Sequence, residues 1–155
     1  MQFKHKQIID TPVDYAFTRA SDFARFEKQS SDKGFGFKRH GHAKIEIGTQ
    51  WNITLPFRGR RRKFMAELCE FIPPRVISYK STSMKYQAAL SLTFTPISAQ
   101  KCRMDMLMVA QARSLGARML FGSIRLARRR INKRLRREMQ EMADRLANDY
   151  QKDSD

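Results

Sequence analysis

Few residues of this chain have the type and spacing that acid–base chemistry requires. Tyr79 and Tyr86 lie in alternating apolar segments. A tyrosine hydroxyl on the inner side of such a segment could donate a hydrogen bond to a ligand carbonyl. Glu67 and Glu70 are three residues apart on a predicted strand, so we expect them to face opposite sides and to form no acid–base pair.

Asp105 and a search for known catalytic motifs supply no further candidate for a catalytic group. Asp105 lies two residues from Arg103, and this spacing on a strand predicts an exposed ion pair. GxSxG, P-loop, GxGxxG and HExxH patterns are all absent from the sequence. The sequence therefore names no catalytic residue, and a cyclase-like or dehydratase-like enzyme is retained only as an alternative.

The histidines and cysteines indicate neither a metal site nor a disulfide framework. His40 and His42 are spaced to share one strand face, and His5 lies on the first predicted strand. No carboxylate or cysteine is spaced to complete a site with them, so we interpret them as surface histidines and predict no metal. Cys69 and Cys102 form no CxxC pair, and reduced thiols in a cytoplasmic protein are expected. No cofactor is predicted.

Alternating apolar residues supply the candidates for a ligand cavity. Trp51 to Phe57, Tyr86 to Thr95 and Cys102 to Ala110 each have apolar residues at every second position, which is typical of a strand with one buried face. Methionine thioethers on the last of these are flexible enough to line an adaptable cavity, although the same side chains could simply pack a core. The candidate cavity residues are Trp51, Leu55, Tyr79, Leu90, Leu92, Phe94, Met104, Met106, Met108, Leu120 and Ile124.

The positive charge is concentrated in two places. The 155 residues include 31 Lys and Arg against 15 Asp and Glu, a formal charge of +16. Residues 113–137 hold ten of the basic groups and no acidic one, and a second cluster spans 58–63. Such a surface could contact an anionic membrane or acidic protein, could contact RNA or the ribosome, or could simply be solvated. The candidate contact residues are Arg60, Arg61, Arg62, Arg125, Arg128, Arg129, Lys133, Arg136 and Arg137.

These residues must be positioned by one domain of mixed α and β structure. The periodicities predict a strand at 3–9, two short helices within 11–27, six strands between 35 and 111, and one helix from 115 to 148. The first of the six strands is expected to run from Phe35 to Ile47. A curved antiparallel sheet of about seven strands wrapped around the amphipathic C-terminal helix would bury both apolar surfaces. We expect a single α+β domain over 1–150, followed by a short acidic tail at 151–155. No segment has the length and apolarity of a membrane span or a signal peptide.

Four segments resemble one known superfamily. They are IIDTPVDYAFTRASDFARFEKQ near the start, the pair Ile47-Gly48, EFIPPRVISYKS in the middle, and LARRRINKRLRREMQEMADRLAN near the end. Together they are similar to the START-like helix-grip superfamily, which includes polyketide cyclase/dehydrase-like proteins, lipid-transfer domains and the birch-pollen-allergen fold. The resemblance implies a helix-grip fold with a hydrophobic cavity between sheet and helix, and a bacterial protein of the polyketide-cyclase-like type.

Function varies widely within that superfamily. We expect binding, and conceivably transport, of an apolar molecule such as a lipid, quinone or polyketide, with the C-terminal helix or the loop at 30–34 as a gate. The first alternative is a basic protein that associates with RNA or the ribosome, as a branch of the superfamily does. Against it, no aromatic residue lies between Arg125 and Arg137 to stack on single-stranded bases.

Overall fold

The computed structural model describes residues 1–32, 36–41, 44–57 and 59–155. His42 lies outside these ranges, as does part of the loop at 30–34 that is predicted as a gate. The elements, in chain order, are β1 Gln2–Ile9, α1 Val13–Ala20, α2 Phe23–Asp32, β2 Gly36–Arg39, β3 Gln50–Phe57, β4 Arg60–Ile72, β5 Val76–Thr82, β6 Tyr86–Ser98, β7 Lys101–Ala112, α3 Leu115–Leu126 and α4 Arg128–Ser154.

The strands form one antiparallel sheet in the order β1-β7-β6-β5-β4-β3-β2. Strands β2 to β7 follow one another as a meander, and β1 pairs with β7 at the edge. The predicted α+β architecture, with a seven-stranded sheet and a long C-terminal helix, is therefore confirmed. Short turns between consecutive strands account for the meander, because sequential strands joined in this way pair as neighbours.

The strand predicted from Phe35 to Ile47 is wrong in its second half. Strand β2 ends at Arg39, and the described residues 44–47 are not in a strand. Gly41 has φ of +74°, a left-handed conformation that turns the chain out of the extended path. The following segment is tied to β4, since Gly48 N–H donates to Leu68 C=O at 2.8 Å and Leu68 N–H donates to Thr49 C=O at 2.9 Å.

The single C-terminal helix predicted from Leu115 to Asn148 is two helices. Ser114 caps α3, because its Oγ accepts from Ala117 N–H at 3.1 Å. The break falls at Ala127, whose backbone N–H donates to the carbonyls of Ser123 and Ile124 in the last turn of α3. The two helices have different neighbours, since α3 packs on β7 whereas α4 packs on β1 and α1. Helix α4 then continues through the predicted acidic tail to Ser154.

The pairing register sorts side chains onto two faces of the sheet. Trp51, Tyr79, Leu90 and Met108 lie on the face towards the helices, which we call the concave face, and their chain neighbours lie on the convex face. A hydrophobic core lies between one part of this face and helices α1, α2 and α4. Among the described residues, no helix is long and apolar enough to span a bilayer.

Candidate ligand-binding site

One part of the concave face, which we call the filled half, is packed as a core. The rings of Phe17 in α1 and Phe94 meet edge to face with centroids 5.6 Å apart, and the Phe23 ring of α2 lies 5.3 Å from that of Trp51. Trp51 and Leu68 have no exposed surface at all. The predicted cavity residues Phe94 and Met104 belong to this core, and Met106, outside the core cluster, is buried as well. The strand residues of the filled half are Ile9, Trp51, Leu68, Ile77, Phe94, Cys102 and Met104.

The rest of the concave face, which we call the open half, remains partly accessible although it is equally apolar. Leu55 on β3 is 36% exposed, and the other side chains are intermediate between buried and exposed. Its strand residues are Leu55, Arg62, Phe64, Tyr86, Ala88, Leu90 and Met108, whereas the half-buried Ile53 and Leu92 pack against the core at the border. Partial exposure on the inner face of a sheet means that no side chain from the helix layer covers these positions completely. The predicted cavity residues are therefore divided between a packed core and an accessible surface.

The position of α4 explains why this half is left open. The guanidinium of Arg128, at the start of α4, lies 5.1 Å from the centre of the Phe3 ring and donates to Gln2 C=O at 2.6 Å. Further along, Gln7 and Gln140 are hydrogen-bonded through their side chains at 3.2 Å. Helix α4 thus follows β1 along one edge of the sheet rather than crossing its centre. Two further predicted cavity residues, Leu120 and Ile124 on α3, are half-buried.

Arg62 places a positive charge on the open half. It pairs with Leu55 across β3 and β4, and Phe64 follows it on the same face. Its Nε is buried and has no hydrogen-bond partner among the described residues. A buried guanidinium N–H without a partner is costly, so this group is suited to a ligand that carries an acceptor. The neighbouring Arg60 and Arg61, predicted with it as surface contacts, are exposed.

Two tyrosines bring hydroxyls to the concave face. Tyr79 lies where the halves meet, its ring 6.0 Å from that of Trp51, and burial raises the pKa of its hydroxyl above the ordinary value. That hydroxyl therefore remains a donor, and within the described part of the chain it makes no hydrogen bond. The hydroxyl of Tyr86 is 3.2 Å from Ser81 Oγ, so it already has a partner. Tyr79 is the better placed of the two to contact a bound molecule.

A partly buried hydrogen-bond network fixes the border between α2 and the sheet. The indole N–H of Trp51 donates to Glu27 Oε1 at 3.0 Å. The same carboxylate accepts from Arg39 Nε at 2.8 Å and from Arg39 Nη2 at 3.2 Å. Glu27 comes from α2, Arg39 from β2 and Trp51 from β3, so one carboxylate joins three elements. The sequence prediction missed this group, since the three residues are far apart in the chain and follow no motif.

The carboxylates of the sheet turn away from the open half. Glu67 and Glu70 were expected on opposite faces, but a bulge between Leu68 and Glu70 inserts one residue and brings both onto the convex face. Glu67 accepts from Lys80 Nζ at 3.0 Å, which lowers the pKa of the carboxyl. The predicted ion pair of Asp105 with Arg103 forms at 3.0 Å, but both residues are half-buried and not exposed as expected.

The acidic side chains therefore leave the concave face without an acid–base pair in the described strands. The predicted tyrosines are the only hydroxyl-bearing candidates that the described strands bring near the open half, apart from Ser81.

The histidines are not brought together. His5 is half-buried on the concave face and its Nε2 lies 3.1 Å from Gln7 Oε1, whereas His40 is exposed at the end of β2. His42 lies outside the described residues. Among the residues that the structure describes, no three His, Cys, Asp or Glu side chains are close enough to hold a metal ion.

The basic groups of residues 113–137 lie on the outside of α3 and α4. All ten are exposed, and none forms an ion pair within the described ranges. They include six of the predicted contact residues, namely Arg125, Arg128, Arg129, Lys133, Arg136 and Arg137.

A separate cleft of about 120 Å³ opens between α2 and the C-terminal part of α4. Phe26, Met142 and Leu146 form its apolar wall. Arg19 Nη2 lies 2.7 Å from Asp149 Oδ2 at its edge, and Arg25 lies 3.8 Å from the same carboxylate oxygen. The charge of Asp149 is therefore already balanced by Arg19 and Arg25, so the carboxylate is not a candidate for binding a further cation.

Comparison with solved structures identifies the fold. The ZhuI aromatase/cyclase from Streptomyces sp. R1128 is 12% identical, with 94% of each chain covered and a TM-score of 0.67. Norcoclaurine synthase from Thalictrum flavum, in complex with dopamine and hydroxybenzaldehyde, is 9% identical over 98% of this chain and 87% of that one, with a TM-score of 0.66. An HSP90 activator from Plasmodium falciparum is 14% identical over 70% and 71%, with a TM-score of 0.50.

These likenesses confirm the predicted helix-grip fold. No family model and no curated protein matches the sequence. The three structures are an aromatase/cyclase, a synthase with two aromatic molecules bound and an activator of a chaperone. One fold thus supports different activities, and the function of this chain must be argued from its own residues.

Proposed function

We propose that this protein binds an elongated apolar molecule with an acidic group, in the open half of the concave face. The observation that carries the proposal is the pairing of an accessible apolar surface with the buried, unpartnered Nε of Arg62. Apolar side chains left accessible on an inner face gain free energy when a ligand removes them from water. The bound aromatic molecules of norcoclaurine synthase support small-molecule binding by a protein of this fold.

The length of the open half favours an extended ligand. Arg62 lies six residues from Leu68 along β4, which corresponds to about 20 Å of extended strand. The carboxylate or phosphate of the ligand would lie at Arg62 and its apolar part would run towards Tyr79 at the border of the filled half. There the tyrosine hydroxyl would donate to any carbonyl that the ligand carries.

A matched pair of probes tests the role of the arginine. Oleate and oleyl alcohol have the same chain and differ in charge, and calorimetry measures both affinities. We expect Arg62→Met to weaken oleate binding roughly tenfold or more, since a hydrogen bond to a charged group contributes about 1.5–3 kcal/mol. Oleyl alcohol should bind to this variant and to the wild type equally.

The control is Arg61→Met, which removes the same charge from the convex face one residue away. It should leave both affinities unchanged. Equal losses in the two arginine variants would show that only net charge matters and would contradict the proposed site. Binding of neither probe, together with native mass spectrometry that detects no apolar molecule on protein purified from cells, would overturn the carrier function itself.

A further inference from the structure

Helix α3 is apolar on two sides, and only one of them faces the protein. Ala117 is buried and Ile124 is half-buried against the rest of the fold. On another side Leu115, Met119 and Leu126 are 76%, 71% and 90% exposed. Spacings of four and seven residues place these three side chains on one stripe of the helix. Folding within this chain therefore leaves a whole apolar stripe in contact with water.

The turn between β5 and β6 extends this apolar surface. Met84 in the turn is 94% exposed, the highest value among the large apolar residues described. Arg113 N–H donates to Lys85 C=O at 2.7 Å, which holds the turn beside the start of α3. The turn and the exposed stripe of α3 thus form one surface at the same end of the molecule. We call it the α3 surface, and its apolar residues are Met84, Leu115, Met119 and Leu126.

The charge around the α3 surface has one sign. The sequence contains no acidic residue from 106 to 137. Arg118 and Arg125 precede Met119 and Leu126 by one position each and flank the stripe, and both are exposed without an ion pair among the described residues. Solubility does not require ten cations without ion pairs within 25 residues. Exposed leucine and methionine side chains lower solubility, so solubility does not explain this surface.

The combination of apolar and basic side chains is the composition of helices that lie in a membrane interface. We propose that the α3 surface docks on an anionic lipid bilayer. Its leucine and methionine side chains enter the headgroup region, and Arg118 and Arg125 contact lipid phosphates. RNA fits less well, because phosphate contacts would satisfy the arginines and leave the apolar stripe in water. The proposal stands on the exposed residues of α3 and does not depend on the ligand proposed for the open half.

Sedimentation with lipid vesicles tests the docking. The protein should bind vesicles of phosphatidylcholine with phosphatidylglycerol, should bind vesicles of phosphatidylcholine alone far more weakly, and should dissociate as salt is raised. Changing Arg118 and Arg125 to Gln should lower partitioning about 25-fold, since each basic residue near an anionic surface contributes about fivefold. The triple change Leu115→Ser, Met119→Ser and Leu126→Ser should lower it roughly tenfold or more.

Two matched controls separate docking from general charge and hydrophobicity. Lys4→Gln with Lys6→Gln removes two exposed charges from the convex side of β1, and Leu107→Ser with Val109→Ser removes apolar groups from the convex side of β7. Neither control should change partitioning more than about twofold. Because the side chains changed in α3 are exposed, circular dichroism and oleate binding without vesicles should match the wild type in both α3 variants. Circular dichroism also checks that the β7 control keeps the fold, since Leu107 and Val109 are only 38% and 37% exposed.

Two outcomes would overturn the docking proposal. The first is the absence of binding to anionic vesicles at low salt. The second is binding that the triple serine variant retains in full, since purely electrostatic adsorption does not need the stripe. Association with RNA that the arginine variant loses and the serine variant keeps, combined with no vesicle binding, would assign the surface to RNA instead. The oleate assay is independent of these results, so failure of the docking proposal can be distinguished from failure of the proposed ligand site.

Discussion

The filled and open halves of the concave face are made of the same kinds of residue but have different surroundings. Leu68 and Ile77 in the filled half are fully buried beneath Phe17 and Phe23, which α1 and α2 supply. Leu90, in the open half, is only partly buried, because α4 follows the β1 edge and no helix covers the centre of this half fully. Helix placement, and not residue type, therefore decides whether an apolar strand face becomes core or stays accessible.

The largest expected difference between the halves is in the cost of removing a leucine. Leu68→Ala should lower the free energy of unfolding by about 3–4 kcal/mol, since it leaves a cavity in a packed core. Leu90→Ala should cost about 1 kcal/mol, because its side chain is partly solvated already. Urea denaturation of the two variants measures both values. Equal costs would mean that the open half is packed as tightly as the filled half.

A smaller effect is expected at the border that holds α2 over the filled half. Glu27→Ala should lower the free energy of unfolding by about 2 kcal/mol, because it leaves the buried indole N–H of Trp51 and the guanidinium of Arg39 without this carboxylate. Glu138→Ala, at an exposed position of α4, is the matched control and should change stability by less than about 0.5 kcal/mol. The same denaturation assay checks both. Comparable effects in the two variants would contradict the role of this network in holding α2 on the sheet.

The smallest perturbation is chemical labelling, which leaves the fold intact. Cys102 lies in the filled half, where burial raises the pKa of its thiol, whereas Cys69 is exposed at the bulge of β4. A thiol reagent should therefore modify one cysteine in the native protein and two after denaturation. Rapid modification of both in the native state would show that the filled half opens readily. Cys69→Ser, which leaves only the buried thiol, identifies the reacting residue directly.

Local patterns accounted for most of the fold. Alternation along β3, β6 and β7 predicted their inner faces correctly, because a strand buried on one side must place apolar residues at every second position. Where two chain segments meet, the same rules failed. The strand expected across 35–47 stops at Arg39, and the bulge after Leu68 moves Glu70 to the face of Glu67. A one-residue insertion reverses every later side chain, and single-chain periodicity carries no mark of it.

Arg62 is the residue of the candidate site that the sequence places incorrectly. Its position in the basic cluster 58–63 predicts a surface residue, because consecutive basic residues usually form a solvated face. Strand β4 begins earlier, at Arg60, so alternation from Phe64 backwards puts Arg62 on the concave face. The signal was present in the spacing of Arg62, Phe64 and Ala66, but apolar residues on both faces of β4 obscured it.

The sequence by itself determined the order of the elements, the inner faces of most strands and the concentration of positive charge after residue 113, because each of these depends on neighbours within a few positions along the chain. Only the tertiary structure decided which half of the concave face is filled, that Arg62 points into the other half, and that α3 leaves an apolar stripe in water. These properties depend on where α1, α2 and α4 come to lie, and that placement is set by packing between residues more than a hundred positions apart.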